Sequence, residues 1–253
     1  MKIILSPSKS LKNRIPQSNY NYTRPLLISE AEDLAIQLKS KTMPELKELM
    51  KISLDLAQLN FERFQNWNTP FTLENSSPCG WMFSGDAYRG LDYASFSDMD
   101  VAYSQKTLRI LNGFYGILRP LDLIQPYRLE MGLKINLSNN FKNLYKFWGN
   151  KITNTINDEI SQDEVIVNLA SNEYFKAINT KILKGNIVNC NFKEVRGGEL
   201  KMIASFAKKA RGLMTRYIIE NQLENADDLL GFNSEGYVYN PSQSKDNFLL
   251  FTR

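Results

Sequence analysis

The chain has 253 residues, of which 43% are hydrophobic and 23% charged, and its formal net charge is +4. This is the composition of an ordinary globular protein, and the length fits one large domain. The sequence contains no histidine and only two cysteines, Cys79 and Cys190. These counts exclude His-based catalytic triads, His-liganded zinc or haem, and a disulfide framework. We therefore expect no metal and no cofactor.

The first residues predict a protein that is neither exported nor anchored in a membrane. The apolar run that follows Lys2 is only three residues long, far shorter than the core of a signal peptide. No segment approaches the roughly 20 apolar residues of a membrane-spanning helix. We expect a cytoplasmic protein without a membrane partner, folded as a single domain over residues 1–253.

In the first half of the chain, residues 2–5 have the pattern of a short buried strand, and a polar loop follows at residues 6–10. Apolar residues three and four apart predict a helix over 29–40, with Ser29 as its N-cap. A second helix is predicted to start near Thr42 and to continue into Phe64. Residues 98–111 predict a further helix.

The second half mixes helices and strands. Residues 165–169 form an apolar run typical of a buried strand, and Gly197-Gly198 indicates a hairpin between two strands. The remaining predicted elements are helices over 141–160, 205–222 and, briefly, 226–230, and strands over 187–193, 199–204, 237–239 and 247–251. Strands and helices do not alternate regularly, so we assign an α+β fold of one mixed domain with an unusual topology.

A basic stripe is the first candidate for binding. On the helix predicted from residue 205, four cations fall on the face opposite the apolar residues, which are Lys208, Lys209, Arg211 and Arg216. Such a stripe can neutralise phosphates and so release counterions from DNA. The alternative is that it is simply a solvated helix face.

A glycine-containing turn is the second candidate. Gly113 and Gly116 separate two apolar stretches within residues 108–121, and Arg109, Arg119 and Arg128 flank them. Glycines allow the backbone to approach a phosphate closely. We predict a helix-hairpin-helix-like element here, and an ordinary turn between two helices is the alternative.

The loop at residues 6–9 supports a competing hypothesis. Ser6, Ser8 and Lys9 follow the first strand, at a position where mixed α/β proteins often bind a phosphate or nucleotide. Asp86, Arg89, Arg128 and Glu130 are candidates to join them, and the alternative is that Asp86 and Glu130 form structural salt bridges with arginines. Convergence of Lys9, Asp86 and Arg128 in one closed pocket would favour an enzyme acting on a nucleotide or other phosphorylated substrate. A broad, open basic groove would favour nucleic acid.

Several segments resemble the YaaA family, above all the string Gln125-Pro126-Tyr127-Arg128-Leu129-Glu130-Met131-Gly132. The other similar segments are residues 4–10, 85–91, 111–123, 147–149, 168–171, 173–176, 207–214 and 231–237. They extend nearly from end to end and in order. The resemblance implies a cytoplasmic protein that protects bacteria against hydrogen peroxide by limiting damage driven by free iron. It also implies DNA binding through a positively charged cleft with a helix-hairpin-helix element, and it assigns no catalytic residue.

These observations together predict a DNA-binding protein of the peroxide stress response. We expect phosphate contacts and little sequence specificity, with a preference for distorted or branched duplexes. No tightly bound small molecule is expected, and the catalytic residues of the competing enzyme hypothesis stay unassigned. The predicted DNA-binding residues are Lys9, Arg109, Gly113, Gly116, Arg119, Arg128, Lys208, Lys209, Arg211 and Arg216.

Overall fold

A computed structural model describes residues 1–16, 20–135 and 141–253. The central feature is a sheet in the strand order β11-β12-β9-β8-β1-β5-β6, with β10 paired to β9. Its strands are β1 Lys2–Leu5, β5 Leu108–Asn112, β6 Gly116–Leu118, β8 Val165–Leu169, β9 Asn186–Arg196, β10 Glu199–Lys201, β11 Val238–Tyr239 and β12 Phe248–Thr252. Four short strands form two separate pairs: β2 Ser10–Leu11 with β4 Phe83–Ser84, and β3 Ser77–Pro78 with β7 Leu123–Ile124.

The sheet is mostly parallel. Strands β12, β9, β8, β1 and β5 run in one direction, whereas β6, β10 and β11 pair antiparallel with their neighbours. Consecutive residues of β1, from Ile3 to Leu5, are all buried, so both faces of the sheet are covered at its centre. The predicted mixture of strands and helices is confirmed.

The α-helices of the described residues lie between these strands in the chain. They are α1 Ile28–Lys39, α2 Met43–Met50, α3 Leu54–Asn66, α4 Cys79–Met82, α5 Asp86–Leu91, α6 Asp98–Thr107, α7 Leu144–Trp148, α8 Lys151–Asn157, α9 Asn172–Phe175 and α10 Ala204–Glu220. Short 3₁₀ turns cover Tyr93–Ser95, Asp227–Gly231, Ser234–Gly236 and Pro241–Gln243. Helix α10 and the hairpin of β9 and β10 match their predictions closely.

Two long predicted helices are interrupted. The helix predicted from Thr42 to Phe64 is divided into α2 and α3, because Lys51 takes the left-handed conformation and ends α2. The helix predicted over 141–160 is divided at Gly149, whose φ is +50°. Ser29 is not the cap of α1; Leu27 occupies that position and no side chain caps the helix.

The helix-hairpin-helix prediction is wrong for residues 108–118. Helix α6 ends at Thr107, and the chain continues as β5, turns, and returns antiparallel as β6. Parallel pairing of β5 with the distant β1 outweighs local helix propensity here. The turn is a hydrogen-bonded Asn turn, in which Asn112 Oδ1 accepts bonds from the N–H groups of Phe114 (2.9 Å) and Tyr115 (3.0 Å).

Helices α5 and α10 cross unusually closely. A Cβ on Gly212 would overlap the carbonyl oxygen of Ala87, and one on Gly90 would overlap the carbonyl oxygen of Lys209. Only glycine lets the two backbones come this near. The crossing brings the start of α5 beside the first turns of α10, at the carboxyl end of β1.

Candidate functional site

A cavity lies at the carboxyl ends of β1 and β8. Leu5 and Leu169, the last residues of these parallel strands, are in register, so the loops that follow them meet at one edge of the sheet. Ser6 Oγ accepts a hydrogen bond from the N–H of Ser171 at 2.8 Å and contacts Ser171 Oγ at 3.3 Å. This edge is where parallel sheets commonly bind ligands.

The cavity has a volume of about 550 Å³, and its charged side chains come from separate parts of the chain. The loop after β1 supplies Lys9, helix α5 supplies Asp86 and Arg89, and helix α9 supplies Glu173. Helix α10 supplies Lys208 and Arg211, and the side chains of Tyr88 and Tyr174 complete the wall. Four cations and two carboxylates therefore surround one space.

The basic stripe on α10 divides into two pairs. Lys208 and Arg211 line the cavity, and within the described chain neither has a carboxylate oxygen within 4 Å. Burial without such a partner lowers the pKa of Arg211. Lys209 instead forms an ion pair with Glu235, and Arg216 pairs with Glu220 at 2.6 Å.

Arg216 is held further by its surroundings. Its Nη1 donates to the carbonyl oxygen of Leu91 at 3.0 Å and to Ser95 Oγ at 2.8 Å. The guanidinium also lies 5.1 Å from the ring centre of Phe96, within the range of a cation–π contact. Both Lys209 and Arg216 therefore use their charge inside the protein, and the structure does not bring them to the cavity.

Lys9, whose side chain is 64% exposed, belongs to an ion cluster centred on the buried Glu130. Lys9 Nζ lies 3.2 Å from Glu130 Oε1, and Arg128 Nη2 lies 2.9 Å from the same oxygen. Glu130 is only 7% exposed. Arg128 Nε and Glu130 Oε2 are buried without a hydrogen-bond partner among the described residues. Lys9 and Asp86 thus converge on one cavity, and Arg128 reaches it only through Glu130.

Two further depressions adjoin the cavity. A second depression contains Lys12, Arg14 and Trp81 and shares Gly85 and Arg89 with the cavity. A third depression continues it past Arg14 and Trp81 to Ser97 and Asp98. We call the three together the basic groove. The sequence analysis did not identify Lys12 and Arg14 as site residues, because they lie in an irregular segment without helical or strand periodicity. Their closeness to Lys9 in the sequence was the one feature that pointed to a shared site.

The remaining predicted site residues are packed elsewhere. Arg109 is 4% exposed, and its Nε lies 2.6 Å from Glu159 Oε2. Arg119 pairs with the fully buried Asp122 at 2.9 Å. Gly113 and Gly116 are buried in the hairpin turn, whose N–H groups at residues 114 and 115 already bond to Asn112. These four residues do not line the basic groove.

Comparison with known proteins gives the family. The family described as "Peroxide stress protein YaaA" matches residues 1–243. The chain belongs to the YaaA family. UPF0246 proteins of Flavobacterium psychrophilum and Flavobacterium johnsoniae are each 49% identical over the full length of both chains. A UPF0246 protein of Aliivibrio fischeri is 45% identical over all of this chain and 98% of its own length.

Membership in the YaaA family supports a role in the peroxide stress response. The resemblance found in the sequence motifs is confirmed over nearly the whole chain. In the described parts of the chain, no helix combines the length and apolar character that crossing a bilayer requires. Within those same parts, no three Asp, Glu or Cys side chains are grouped so that they could hold a metal ion.

Proposed function

We propose that this YaaA-family protein binds DNA during peroxide stress and that the basic groove is its DNA-binding surface. The observation that carries the proposal is that cations from three distant stretches of the chain converge on one groove. These stretches are residues 9–14, residue 89 and residues 208–211. Such convergence matches the spaced phosphates of a nucleic acid. Bound protein would shield the DNA from iron-driven oxidation.

The charge balance of the basic groove favours an anionic partner. Lys9 and Arg89 are paired with Glu130 and Asp86. The other four cations have no carboxylate within 4 Å in the described chain, and they are Lys12, Arg14, Lys208 and Arg211. The groove holds six cations and four carboxylates, so its net charge is +2. The carboxylates are Asp86, Asp92, Asp98 and Glu173.

This surface supports binding that depends on DNA shape more than on sequence. Lys and Arg that contact phosphates fix the position of a protein on DNA but carry no sequence information. The groove consists of three adjoining depressions that share lining residues, and in the described chain it offers no single recognition helix for reading bases. We therefore propose a preference for distorted or branched duplexes over straight ones.

The proposal is tested with two variants of equal charge. In the first, Lys208→Gln and Arg211→Gln remove the two unpaired cations of α10. In the second, Lys181→Gln and Lys245→Gln remove two exposed lysines near the amino ends of β9 and β12, the opposite edge of the sheet. Binding to labelled duplex and junction DNA is measured by fluorescence anisotropy from 50 to 300 mM salt.

We expect the α10 variant to bind about tenfold more weakly at low salt. The slope of log K against log salt should fall by about 2, close to one for each lost phosphate contact. The control should resemble the wild type, because long-range charge effects are screened. Equal weakening of both variants, or no binding by the wild type at low salt, would contradict the proposal.

A second function is supported by the enclosed part of the groove. Lys9 and Asp86 are two of the three residues whose convergence would favour an enzyme acting on a nucleotide or other phosphorylated substrate, and they lie in one cavity at the carboxyl ends of parallel strands. Incubation of the protein with nucleoside phosphates, followed by chromatography, tests this activity. Turnover that is lost in Asp86→Asn would establish it, and unchanged nucleotides would rule it out for those substrates.

A further inference from the structure

We infer that the cavity at the ends of β1 and β8 binds a single nucleotide unit, presented by DNA as an unpaired nucleotide turned out of the helix. This inference rests on the proposed DNA binding for the source of the nucleotide. The chemistry of the cavity also fits a free nucleoside monophosphate, and the experiment below separates the two sources.

The size and position of the cavity suit a single nucleotide. A cavity of about 550 Å³ is within the range of small-molecule sites but cannot admit a double helix about 20 Å wide. It is continuous with the rest of the basic groove through Gly85 and Arg89. A strand whose phosphates follow the groove past Lys12 and Arg14 would therefore bring one nucleotide to the mouth of the cavity.

One part of the cavity wall carries unpaired positive charge. Lys208 and Arg211 project into the cavity without a carboxylate within 4 Å among the described residues. Arg211 is partly buried, so its charge is desolvated without compensation from the protein. A phosphate would supply that compensation with charge-assisted hydrogen bonds. Lys9, paired with Glu130, adds a third cationic donor at the same site.

The cavity also contains two carboxylates, which a simple phosphate site would not contain because they repel an anion. Asp86 uses Oδ1 for Arg89, and Glu173 uses Oε1 to accept a bond from the N–H of Gly132 at 2.9 Å. Their second oxygens have no hydrogen-bond partner in the described chain. A nucleotide carries both a phosphate for the cations and N–H or O–H donors for these oxygens.

Two tyrosines also form part of the cavity wall. Tyr88 and Tyr174 are 6% and 8% exposed, and both are among the residues that line the cavity. The hydroxyl of Tyr88 donates to the carbonyl oxygen of Ser6 at 2.9 Å, which fixes the ring against the loop after β1. Enzymes and proteins that accept extrahelical nucleotides read them by hydrogen bonds to the base edge and by contact with aromatic or apolar side chains.

The experiment uses the full chain and two duplexes that contain 2-aminopurine, whose fluorescence increases when the base unstacks. One duplex holds it in a matched pair and the other as a single-nucleotide bulge. Protein is added to saturation, which anisotropy verifies, and the affinity and 2-aminopurine signal are recorded. Binding of free dAMP is measured in parallel by isothermal titration calorimetry.

We expect the bulged duplex to bind about tenfold more tightly than the matched one, because an unpaired base costs less to turn out. The 2-aminopurine signal of the bulge should increase at saturation. Ser171→Phe, which places a ring in the cavity, should reduce the preference to about one. Ser171→Ala leaves the cavity open and should keep it. Thermal unfolding of both variants shows whether they fold.

The outcomes separate the two proposals, and the wild-type measurements decide even where Ser171→Phe does not fold. Equal affinity for both duplexes, an unchanged 2-aminopurine signal and no binding of millimolar dAMP would overturn the nucleotide site while leaving DNA binding intact. Binding of dAMP without binding of any DNA would support the site and overturn the proposed function. Absence of both kinds of binding would overturn both.

Discussion

The β5–β6 hairpin and the first half of α10 both carry cations beside apolar residues, yet they place these cations in opposite environments. In the hairpin region, Arg109 pairs with Glu159 and Arg119 with Asp122, and Arg109 is almost completely buried. On α10, Lys208 and Arg211 face a cavity and have no carboxylate within 4 Å in the described chain. Proximity of cations in the sequence is therefore a poor guide to a binding surface unless their partners are known.

The difference has a simple physical origin. A central strand is covered on both faces, so a cation on it must be paired to offset the cost of removing it from water. An amphipathic helix leaves one face to solvent, where an exposed cation such as Lys208 stays unpaired at little cost, whereas the partly buried Arg211 is desolvated. Where such a face borders a concave surface, as at Lys208 and Arg211, the unpaired charge is available to a ligand.

The largest expected effect is the loss of folding stability when an ion pair of the hairpin region, Arg119 with Asp122, is broken. Asp122 is completely buried. Its carboxylate accepts a hydrogen bond from the N–H of Arg119 at 2.7 Å and another from the Thr23 hydroxyl at 2.6 Å. Asp122→Ala should lower the free energy of unfolding by about 3–5 kcal/mol, since it leaves Arg119 without its partner. Urea denaturation measures this loss, and Lys208→Ala should change stability by less than about 0.5 kcal/mol.

A second substitution at the same position sharpens the test. Burial raises the pKa of Asp122, although Arg119 opposes this. The ionised carboxylate therefore carries a desolvation cost that a neutral amide would avoid. Asp122→Asn should consequently lose less stability than Asp122→Ala. A loss below about 1 kcal/mol for Asp122→Ala would contradict the view that the hairpin cations are structural.

The buried thiols extend the comparison to chemistry. Cys79 lies beneath the hairpin with Sγ 3.0 Å from the carbonyl oxygen of Arg119, and burial raises its pKa. Burial raises the pKa of Cys190 to about 12. Thiolates are the reactive form, so alkylation by iodoacetamide at pH 7.4 should be at least about 100-fold slower in the folded protein than in guanidinium. Equal rates would show that the region opens readily.

The next effect is on stability at the close crossing of α5 and α10, which supplies part of the cavity wall. Gly212→Ala would force a Cβ against the backbone of Ala87 and separate α10 from α5. We expect a loss of about 1–3 kcal/mol in unfolding free energy, together with weaker DNA binding, because Lys208 and Arg211 move with the helix. Ser205→Ala, exposed at the start of the same helix, is the control. Unchanged stability and binding in Gly212→Ala would show that the crossing tolerates a side chain.

Sequence patterns predicted the parts of the fold that depend on local periodicity. Helix α10 and strands β1, β8 and β9 were found because apolar spacing alone determines them. The hairpin at residues 108–118 was assigned wrongly because its strand character depends on pairing with β1, about a hundred residues away. Tertiary pairing of this kind overrides local propensity.

The site was only partly predictable for the same reason. Lys9, Lys208 and Arg211 were identified from the loop after β1 and from the helix face, and the structure brings them together. Lys209 could not be separated from its neighbours, because the Glu235 that pairs with it is 26 residues further along the chain. Which cations stay unpaired is a property of the folded surface.

The smallest expected effect concerns the ion pair between Lys209 of α10 and Glu235, and how its contribution to stability depends on pH. The bond from Lys209, helped by Arg253, holds the pKa of Glu235 below its ordinary value of 4.5. An acid whose pKa is lowered by folding stabilises the folded state when the pH is above the ordinary pKa of that acid. This stabilisation is lost as the pH falls through the pKa of the folded state. Because Glu235 is 37% exposed and screened by solvent, Glu235→Gln should cost less than about 1 kcal/mol at pH 7.

The pH dependence of this cost distinguishes an ion pair from simple packing. Urea denaturation between pH 3 and 7 should show the difference between wild type and Glu235→Gln shrinking toward zero as the pH falls below 4.5. Glu48→Gln, at an exposed position on α2, is the control. A difference that stays constant with pH would mean that Glu235 acts by packing. The same substitution frees Lys209, so a small gain in DNA affinity should accompany it if pairing is what keeps that cation from the DNA.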